Sequence, residues 1–290
     1  MKQMNQVSVI IPAKNEAASI ASVVNKLKSV PEVSEIIVVD DGSDDGTGDL
    51  AEKSGAIVVT HPYSRGNGAA IKSGVRAADG EILAFMDADG QHRPEDLTRL
   101  LAELEKGHDM VVAARDINGQ ASKRRLLGNV FYNKLASWMV GHKIHDLTSG
   151  FRVARAKLFK EVAHLLPNGF SYPTTSTMAF FRSGYSVAYV SVNVLPRDGK
   201  SHIRILKDGL RFLLIIFKIG TLYSPLKLFF PFAVANATLG FGYYLYTYLE
   251  FHRFTNMSAI LLTTAVQIFL IGLVAEQITA LMYSRRRRDD

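Results

Sequence analysis

The chain has 290 residues, 48% of them hydrophobic and 21% charged, with 34 Lys/Arg against 27 Asp/Glu and a formal net charge of +7. That length holds one large domain or two ordinary ones, and the balance of apolar and charged residues excludes a disordered protein. The absence of cysteine excludes disulfides, a thiolate nucleophile and any Cys-ligated zinc or iron–sulfur site.

Met1–Gln6 is polar, and the first apolar run, Val7–Ile11, is too short for the h-region of a signal peptide. The first two-thirds of the chain is therefore expected to stay in the cytosol. Apolar, β-branched runs at Val7–Ile11, Ile36–Val39, Ala56–Thr60, Ile82–Met86 and Met110–Ala113 predict strands. Helical patterns lie between them at Glu16–Ser29, Thr47–Ser54, Gly68–Ala78 and Pro94–Lys106. Strands apolar on both faces, alternating with helices, imply a parallel sheet covered on both sides. Polar residues gather just after strands, at Pro12–Glu16, Asp40–Ser43 and Asp87–Gln91. Ligands of an open α/β sheet bind outside the carboxyl ends of its strands, so these clusters make a site.

Further along, Trp138, the only tryptophan, sits among Leu135, Met139 and Val140 and reads as core. His142 and His145 are spaced i, i+3 but have no further ligand set, so they do not read as a metal site. Ile203–Gly220 carries Arg204, Lys207, Arg211 and Lys218 on one helical face, with Leu206, Leu210, Leu213, Leu214 and Phe217 over much of the rest. That is the pattern of a helix lying in a headgroup layer. Leu228–Leu249 and Met257–Ala275 are free of charge and long enough to cross a hydrocarbon core of about 30 Å. Lys227 precedes the first and Arg285–Arg288 follow the second, so both outer ends are expected on the cytoplasmic side. Tyr243, Tyr244, Tyr246 and Tyr248 fit an aromatic belt. Residues 203–290 hold a net charge of +5 and residues 1–202 only +2. The basic excess thus sits in the most apolar third, which favours a membrane over nucleic acid as partner.

Asp87-Ala88-Asp89-Gly90-Gln91 puts two carboxylates and an amide oxygen within one strand-end turn. Oxygen-only ligands suit Mg²⁺ or Mn²⁺ bridging to phosphate oxygens. A lone Asp-x-Asp is also a common turn or cap, and its value here comes from its position. His92 reads as capping or orienting that turn. Asp40 and Asp41 end another strand and could accept hydrogen bonds from a nucleobase N–H or a ribose hydroxyl. Arg65-Gly66-Asn67-Gly68 is an anion-loop candidate at a helix N-terminus.

Val9-Ile10-Ile11-Pro12-Ala13-Lys14-Asn15-Glu16, Val38-Val39-Asp40-Asp41-Gly42-Ser43, Arg65-Gly66-Asn67-Gly68, Asp87-Ala88-Asp89-Gly90-Gln91-His92 with Pro94-Glu95, and Asp146-Leu147-Thr148-Ser149-Gly150-Phe151-Arg152 follow in order. Together they resemble family-2 glycosyltransferases, specifically the polyprenyl-phosphate group typified by dolichyl-phosphate mannose synthase. The resemblance runs through residues 7–202. It implies an α/β fold of the GT-A type (Rossmann-like, mostly parallel sheet), followed here by the amphipathic helix and the transmembrane hairpin. It implies a nucleotide-sugar donor held by Pro12, Ala13, Glu16, Val38, Asp40, Asp41, Gly68, Asp87 and Ala88. Asp89 and Gln91 would hold a Mg²⁺ or Mn²⁺ ion on the donor diphosphate. Arg115, Arg124, Arg125, Asn133 and Arg197 would meet the acceptor phosphate, with Lys200, Ser201 and His202 in a segment that departs from the family's spacing by one residue. Asp87, Asp89, Arg115, Asp146 and Arg197 form the expected catalytic set.

The expected division is a cytoplasmic catalytic domain at 1–202, an amphipathic helix at 203–220, spans at 228–249 and 257–283, and a basic tail at 284–290. The expected reaction is inverting hexose transfer from a nucleotide-sugar to a dolichyl or undecaprenyl phosphate. Such an acceptor arrives largely dianionic, its second pKa near 6, so it needs charge neutralisation more than a base. Asp146 is accordingly read as positioning an arginine. GDP-mannose stands first among donors, with UDP-glucose or another UDP-sugar as the alternative. A non-catalytic membrane scaffold that keeps the fold is the second alternative. Homo-oligomerisation through the hairpin stays open. The sole Trp138, preceded by Ala136-Ser137, lacks the Gln-x-x-Arg-Trp segment of processive polymer synthases.

Overall fold

The computed structural model describes residues 6–93, 95–115, 123–169, 172–193, 217 and 220–284, with backbone alone for 123–129, 131, 283 and 284. They fall into two compact units. In the first, β1 (Val7–Ala13), β2 (Val33–Asp40), β3 (Ile57–Thr60), β4 (Ile82–Phe85), β5 (Met110–Arg115), β6 (Arg152–Arg155) and β7 (Val187–Val192) form one sheet in the order β3-β2-β1-β4-β6-β5-β7. The pairs β1–β2, β1–β4, β2–β3 and β5–β7 are parallel. β6 runs antiparallel to both β4 and β5. The expected parallel alternation therefore holds for all but one strand of a mixed sheet.

Helices α1 (Ile20–Leu27), α2 (Thr47–Lys53), α3 (Asn67–Ala77), α4 (Glu95–Leu104), α5 (Lys123–Val140), α6 (Ala156–Val162) and α7 (Tyr172–Arg182) cover the sheet. On one face Val9, Ile11, Val38, Ala84, Val111 and Val153 pack with Ile20 and Val24 of α1 and Leu97, Leu100 and Leu104 of α4. On the other, Phe85 lies against Phe159 of α6 at 4.4 Å between ring centroids, and Phe159 meets Phe180 of α7 at 6.1 Å.

α1 begins four residues later than its periodicity predicts. Asn15 takes a left-handed conformation (φ 56°), and the amides of Ser19 and Ile20 both donate to the Glu16 carbonyl. The chain turns there instead of continuing as helix, which leaves Glu16 in the loop at the sheet edge.

In the second unit, α8 (Pro225–Phe251) and α9 (Asn256–Ser284) form an antiparallel hairpin. Each contains a stretch long and apolar enough to cross a membrane, with mean hydropathy 1.3 and 2.2. Pro225 opens α8 at the position where a missing N–H costs nothing. His252 closes it in a left-handed conformation, with Arg253 N–H returning to the Thr247 carbonyl. Thr255 Oγ1 then accepts from the Ser258 amide and caps α9. Gly240 sits against Leu261 and Leu262, and Gly272 against Phe229, so small residues set the helix spacing. Glu276 Oε2 accepts from the Leu226 amide at 3.3 Å, so α9 supplies a partner for one of the first-turn donors of α8.

Candidate active site

The strand ends bring three loops together. The Lys14–Ala17 loop is latched to the one after β2 by Asn15 N–H to Ser43 Oγ (3.0 Å), Glu16 N–H to Thr47 Oγ1 (2.9 Å) and Ala17 N–H to Asp45 (3.0 Å). Asp41 N–H donates to the Ala13 carbonyl. Ser19 Oγ donates to the carbonyl of Ala88 at 2.7 Å and lies 3.3 Å from the Glu16 carboxylate, joining the first loop to the Asp-x-Asp turn. Sequence reasoning passed over Ser19; its only signal is a hydroxyl three residues after Glu16.

Pro12 is half-buried and Ala13 buried at the β1 edge. Asp40 is buried, accepting from Ser43 N–H at 2.9 Å while its other oxygen lies against Gly48. A cleft of about 410 Å³ opens beside it, lined by Ser43, Val58, Thr60 and the acids Asp44, Asp49 and Glu52. Carboxylates on that wall repel phosphates and suit neutral N–H and O–H donors. Val38 lies two residues inside the strand, fully buried in the core, so its side chain serves packing.

Asp41 is turned inward. Its carboxylate accepts from His61 Nδ1 (2.7 Å), Ser64 Oγ (2.8 Å) and the amides of Arg65 (2.8 Å) and Gly66 (2.9 Å), while His61 Nε2 meets Ser73 Oγ at 2.9 Å. Burial works to raise its pKa, but these donors together hold it below the ordinary value. The Asp41–His61–Ser73 series staples β2, β3 and α3. The first amides of α3 are also engaged, Gly68 N–H by the Gly169 carbonyl (3.1 Å) and Ala69 N–H by that of Asn168 (2.9 Å). Arg65–Gly68 is thus a capped helix start and not the anion loop expected, and Gly68 is glycine because a side chain would collide with the Pro167 carbonyl.

Asp87 and Asp89 are half-buried after β4, and Asp89 Oδ1 accepts from Gln91 N–H at 3.1 Å. The Asp87 carboxylate lies against Gly150, where an added Cβ would come 2.6 Å from Oδ2. His92 packs on Phe151 with ring centroids 5.0 Å apart, and burial pulls its pKa down, favouring the neutral ring.

At the end of β5, Arg115 Nε donates to Asp146 at 2.8 Å and Nη2 at 3.1 Å, and Nη2 also donates to Thr148 Oγ1. Asp146 further accepts from the amides of Thr148 (3.0 Å) and Ser149 (3.2 Å). Burial would raise the Asp146 pKa, yet the Arg115 guanidinium and these donors bring it below the usual carboxylate value. Asn133 braces the same loop, donating to the His145 carbonyl (2.8 Å) and accepting from Leu147 N–H (3.1 Å). One N–H and the oxygen of its amide are thus engaged within the protein.

Arg124 and Arg125 lie in the first turn of α5. Arg197, Lys200, Ser201, His202 and most of the 203–220 segment lie outside the described residues. Trp138 is 49% exposed, which corrects its reading as core. His142 stacks on Phe181 and His145 meets Tyr189, each about 5.1 Å between centroids. Among the described residues no three His, Asp or Glu side chains gather as a metal cage.

A mostly parallel sheet with an Asp-x-Asp turn and an arginine–carboxylate pair at its strand ends is an α/β arrangement of the GT-A type. Glucosyl-3-phosphoglycerate synthase from Mycobacterium tuberculosis, solved with Mn²⁺, UDP-glucose and phosphoglyceric acid, shares the fold at a TM-score of 0.61. The identity is 24%, over 74% of this chain and 79% of that one. Residues 8–163 match glycosyl transferase family 2 and residues 224–281 match the GtrB C-terminal hairpin. The chain belongs to glycosyltransferase family 2 and is a glycosyltransferase. It is 26% identical to the glycosyltransferase AglJ of Haloferax volcanii over 99% of this chain and 98% of that protein. It is 31% identical to polyprenol monophosphomannose synthase of Mycolicibacterium smegmatis, over 66% of this chain and 77% of that protein. It is 30% identical to undecaprenyl-phosphate mannosyltransferase of Micrococcus luteus, over 67% and 85%.

Proposed function

We propose that the protein transfers a hexose from a nucleotide-sugar to a polyprenyl phosphate at a membrane surface, with inversion at the anomeric carbon. The observation that carries this reading is the pairing of Arg115, the last residue of β5, with Asp146 of the loop before β6, near the Asp87–Gln91 turn that follows β4. The names of the mycobacterial and micrococcal relatives, both for polyprenyl-phosphate mannose transfer, support the acceptor class; GDP-mannose stands first among the donors proposed and a UDP-sugar second.

Pro12, Ala13, Glu16 and Asp40 take the base and ribose, and Asp87 with Ala88 faces the donor's sugar–diphosphate end. Asp41, Asn133 and Gly68 shape these loops from behind. The donor set of Asp89 and Gln91, all oxygen on one half-buried turn, fits Mg²⁺ or Mn²⁺. That ion would neutralise charge on the leaving diphosphate. Arg115 presents a guanidinium whose Nε and Nη2 are fixed by Asp146, so its orientation is set before an acceptor arrives. Arg124, Arg125, Arg197, Lys200, Ser201 and His202 are the further candidates to hold the acceptor phosphate. One of its oxygens attacks the anomeric carbon as the nucleoside diphosphate departs, and no protein base is needed because the phosphate is already ionised. Helices α8 and α9 cross the membrane with both chain ends and the catalytic domain on the cytoplasmic side, in accord with Lys227 and Arg285–Arg288.

Membranes containing the full chain, given polyprenyl phosphate and labelled nucleotide sugars, should move label into the lipid phase in the presence of Mg²⁺ or Mn²⁺. Asp89→Ala should cut that transfer by about 100-fold or more, as loss of a transition-state charge contact does. Undiminished transfer by Asp89→Ala contradicts the metal assignment.

A further inference from the structure

One row of residues crosses the sheet in register, Ile57–Ile37–Ile10–Phe85–Arg152–Val112–Tyr189. Every member but one is apolar or aromatic. Arg152 stands in the middle of it with 0% exposure, its guanidinium against the start of α7. A charge in such a place costs several kcal/mol unless it is matched, and no carboxylate lies within ion-pair distance of it among the described residues. A core that tolerates this cost departs from the consistency that foldability alone rewards.

What Arg152 holds explains why it is there. Nη1 donates to the Pro173 carbonyl (2.8 Å), Ser176 Oγ (2.8 Å) and Thr177 Oγ1 (3.0 Å), all in the first turns of α7. Nη2 donates to the Ser149 carbonyl. The guanidinium carbon lies 5.7 Å from the centre of the Tyr172 ring, and Tyr172 Oη donates to the carbonyl of Gly150 at 2.9 Å. The carbonyls on both sides of the Gly150 nitrogen and α-carbon are therefore pinned from below by two fully buried donors. Above them the Asp87 carboxylate rests on the Gly150 α-carbon, at a distance that leaves no room for a methyl group.

We infer that Arg152 and Tyr172 form a buried clamp that sets the height of the Ser149–Gly150 turn beneath Asp87, making both positioning residues for the nucleotide-sugar. The clamp ties the donor side of the site to α7, and through Asp146, three residues earlier, to Arg115. This inference rests on the assignment of Asp87 to the donor, and the test separates the two.

Steady-state transfer by the full-length protein in membranes is measured for Arg152→Lys, Tyr172→Phe, their double variant and Asp87→Asn, varying each substrate in turn. Tyr172→Phe keeps the ring and removes one hydrogen bond, so it is expected to fold even where Arg152→Lys does not. The clamp predicts that each single variant raises KM for the nucleotide-sugar by about 5- to 20-fold with KM for the lipid phosphate within about twofold. The double variant should show less than the product of the single effects, because both act through one turn. A purely structural role lowers the amount of active enzyme and leaves both KM values unchanged, which overturns the inference, as does a double variant whose effects multiply. If Asp87→Asn itself leaves the donor KM unchanged, the donor assignment has failed; if it raises that KM while Tyr172→Phe does not, the clamp has.

Discussion

Replacing Asp146 by Asn removes one charge and almost no volume, so its effects can be worked from the contacts. Two charge-assisted bonds from Arg115, at 2.8 and 3.1 Å, lose their anionic acceptor. Such bonds are worth about 1.5–3 kcal/mol each where fully buried. The Arg115 side chain is 34% exposed, so water takes over part of the solvation, and a net loss of about 2 kcal/mol is expected for the pair. For a catalytic domain of this size that lowers Tm by about 4–8 °C. Transfer should fall further, by about 30- to 100-fold, because a guanidinium no longer held by two bonds does not meet the acceptor in one orientation. The pH profile gives the sharper reading. With its pKa lowered in the folded state, Asp146 contributes stability that is present above its ordinary value and lost only as pH falls through the lowered one. It stays ionised across the neutral range, so the acid limb of the profile reports the acceptor phosphate, near pH 6. Asp146→Asn should lower the whole curve without moving that limb. A variant that transfers within about threefold of the parent refutes the positioning argument, and a limb displaced by a full unit refutes the assignment of that limb to the acceptor.

Gly68→Ala drives a methyl group into the Pro167 carbonyl and should displace the Pro167–Gly169 segment from the start of α3, costing about 1–3 kcal/mol in thermal unfolding. Gly240→Leu meets Leu261 and Leu262 at about 3 Å and should destabilise the hairpin in detergent while leaving the unfolding of the catalytic domain unchanged in a domain-resolved melt. Glu276→Ala removes the carboxylate that caps Leu226, which should lower hairpin stability by about 0.5–2 kcal/mol.

The strands β1 to β5 were legible because their apolar, β-branched runs are long and bounded by turn residues. β6 was not: Arg-Val-Ala-Arg has a cation at each end, and only tertiary packing of Arg152 under α7 makes it a strand. The helix periods found α1 to α4 but could not see that Asn15 breaks the first of them by one turn, since a left-handed residue leaves no mark on an apolar pattern. Asp40 and Asp41 look equivalent in sequence, yet adjacent strand-end residues point to opposite sides, and Asp41 is consumed by His61 and the Arg65–Gly66 amides. The same limit misplaced Trp138 as core, because apolar neighbours on a helix do not say which face they share. The Asp-x-Asp turn is legible because position at a strand end and a family resemblance agree; Arg115 and Asp146 come from the resemblance, while their pairing with each other is visible only in the folded chain.

Product partition decides whether the sugar goes to a lipid phosphate. Proteoliposomes of the full chain with polyprenyl phosphate, Mn²⁺ and labelled GDP-mannose or UDP-glucose should yield label extractable into organic solvent, released by mild acid as free sugar. Label confined to the aqueous phase, with a polyprenyl phosphate present and the protein folded, contradicts the account.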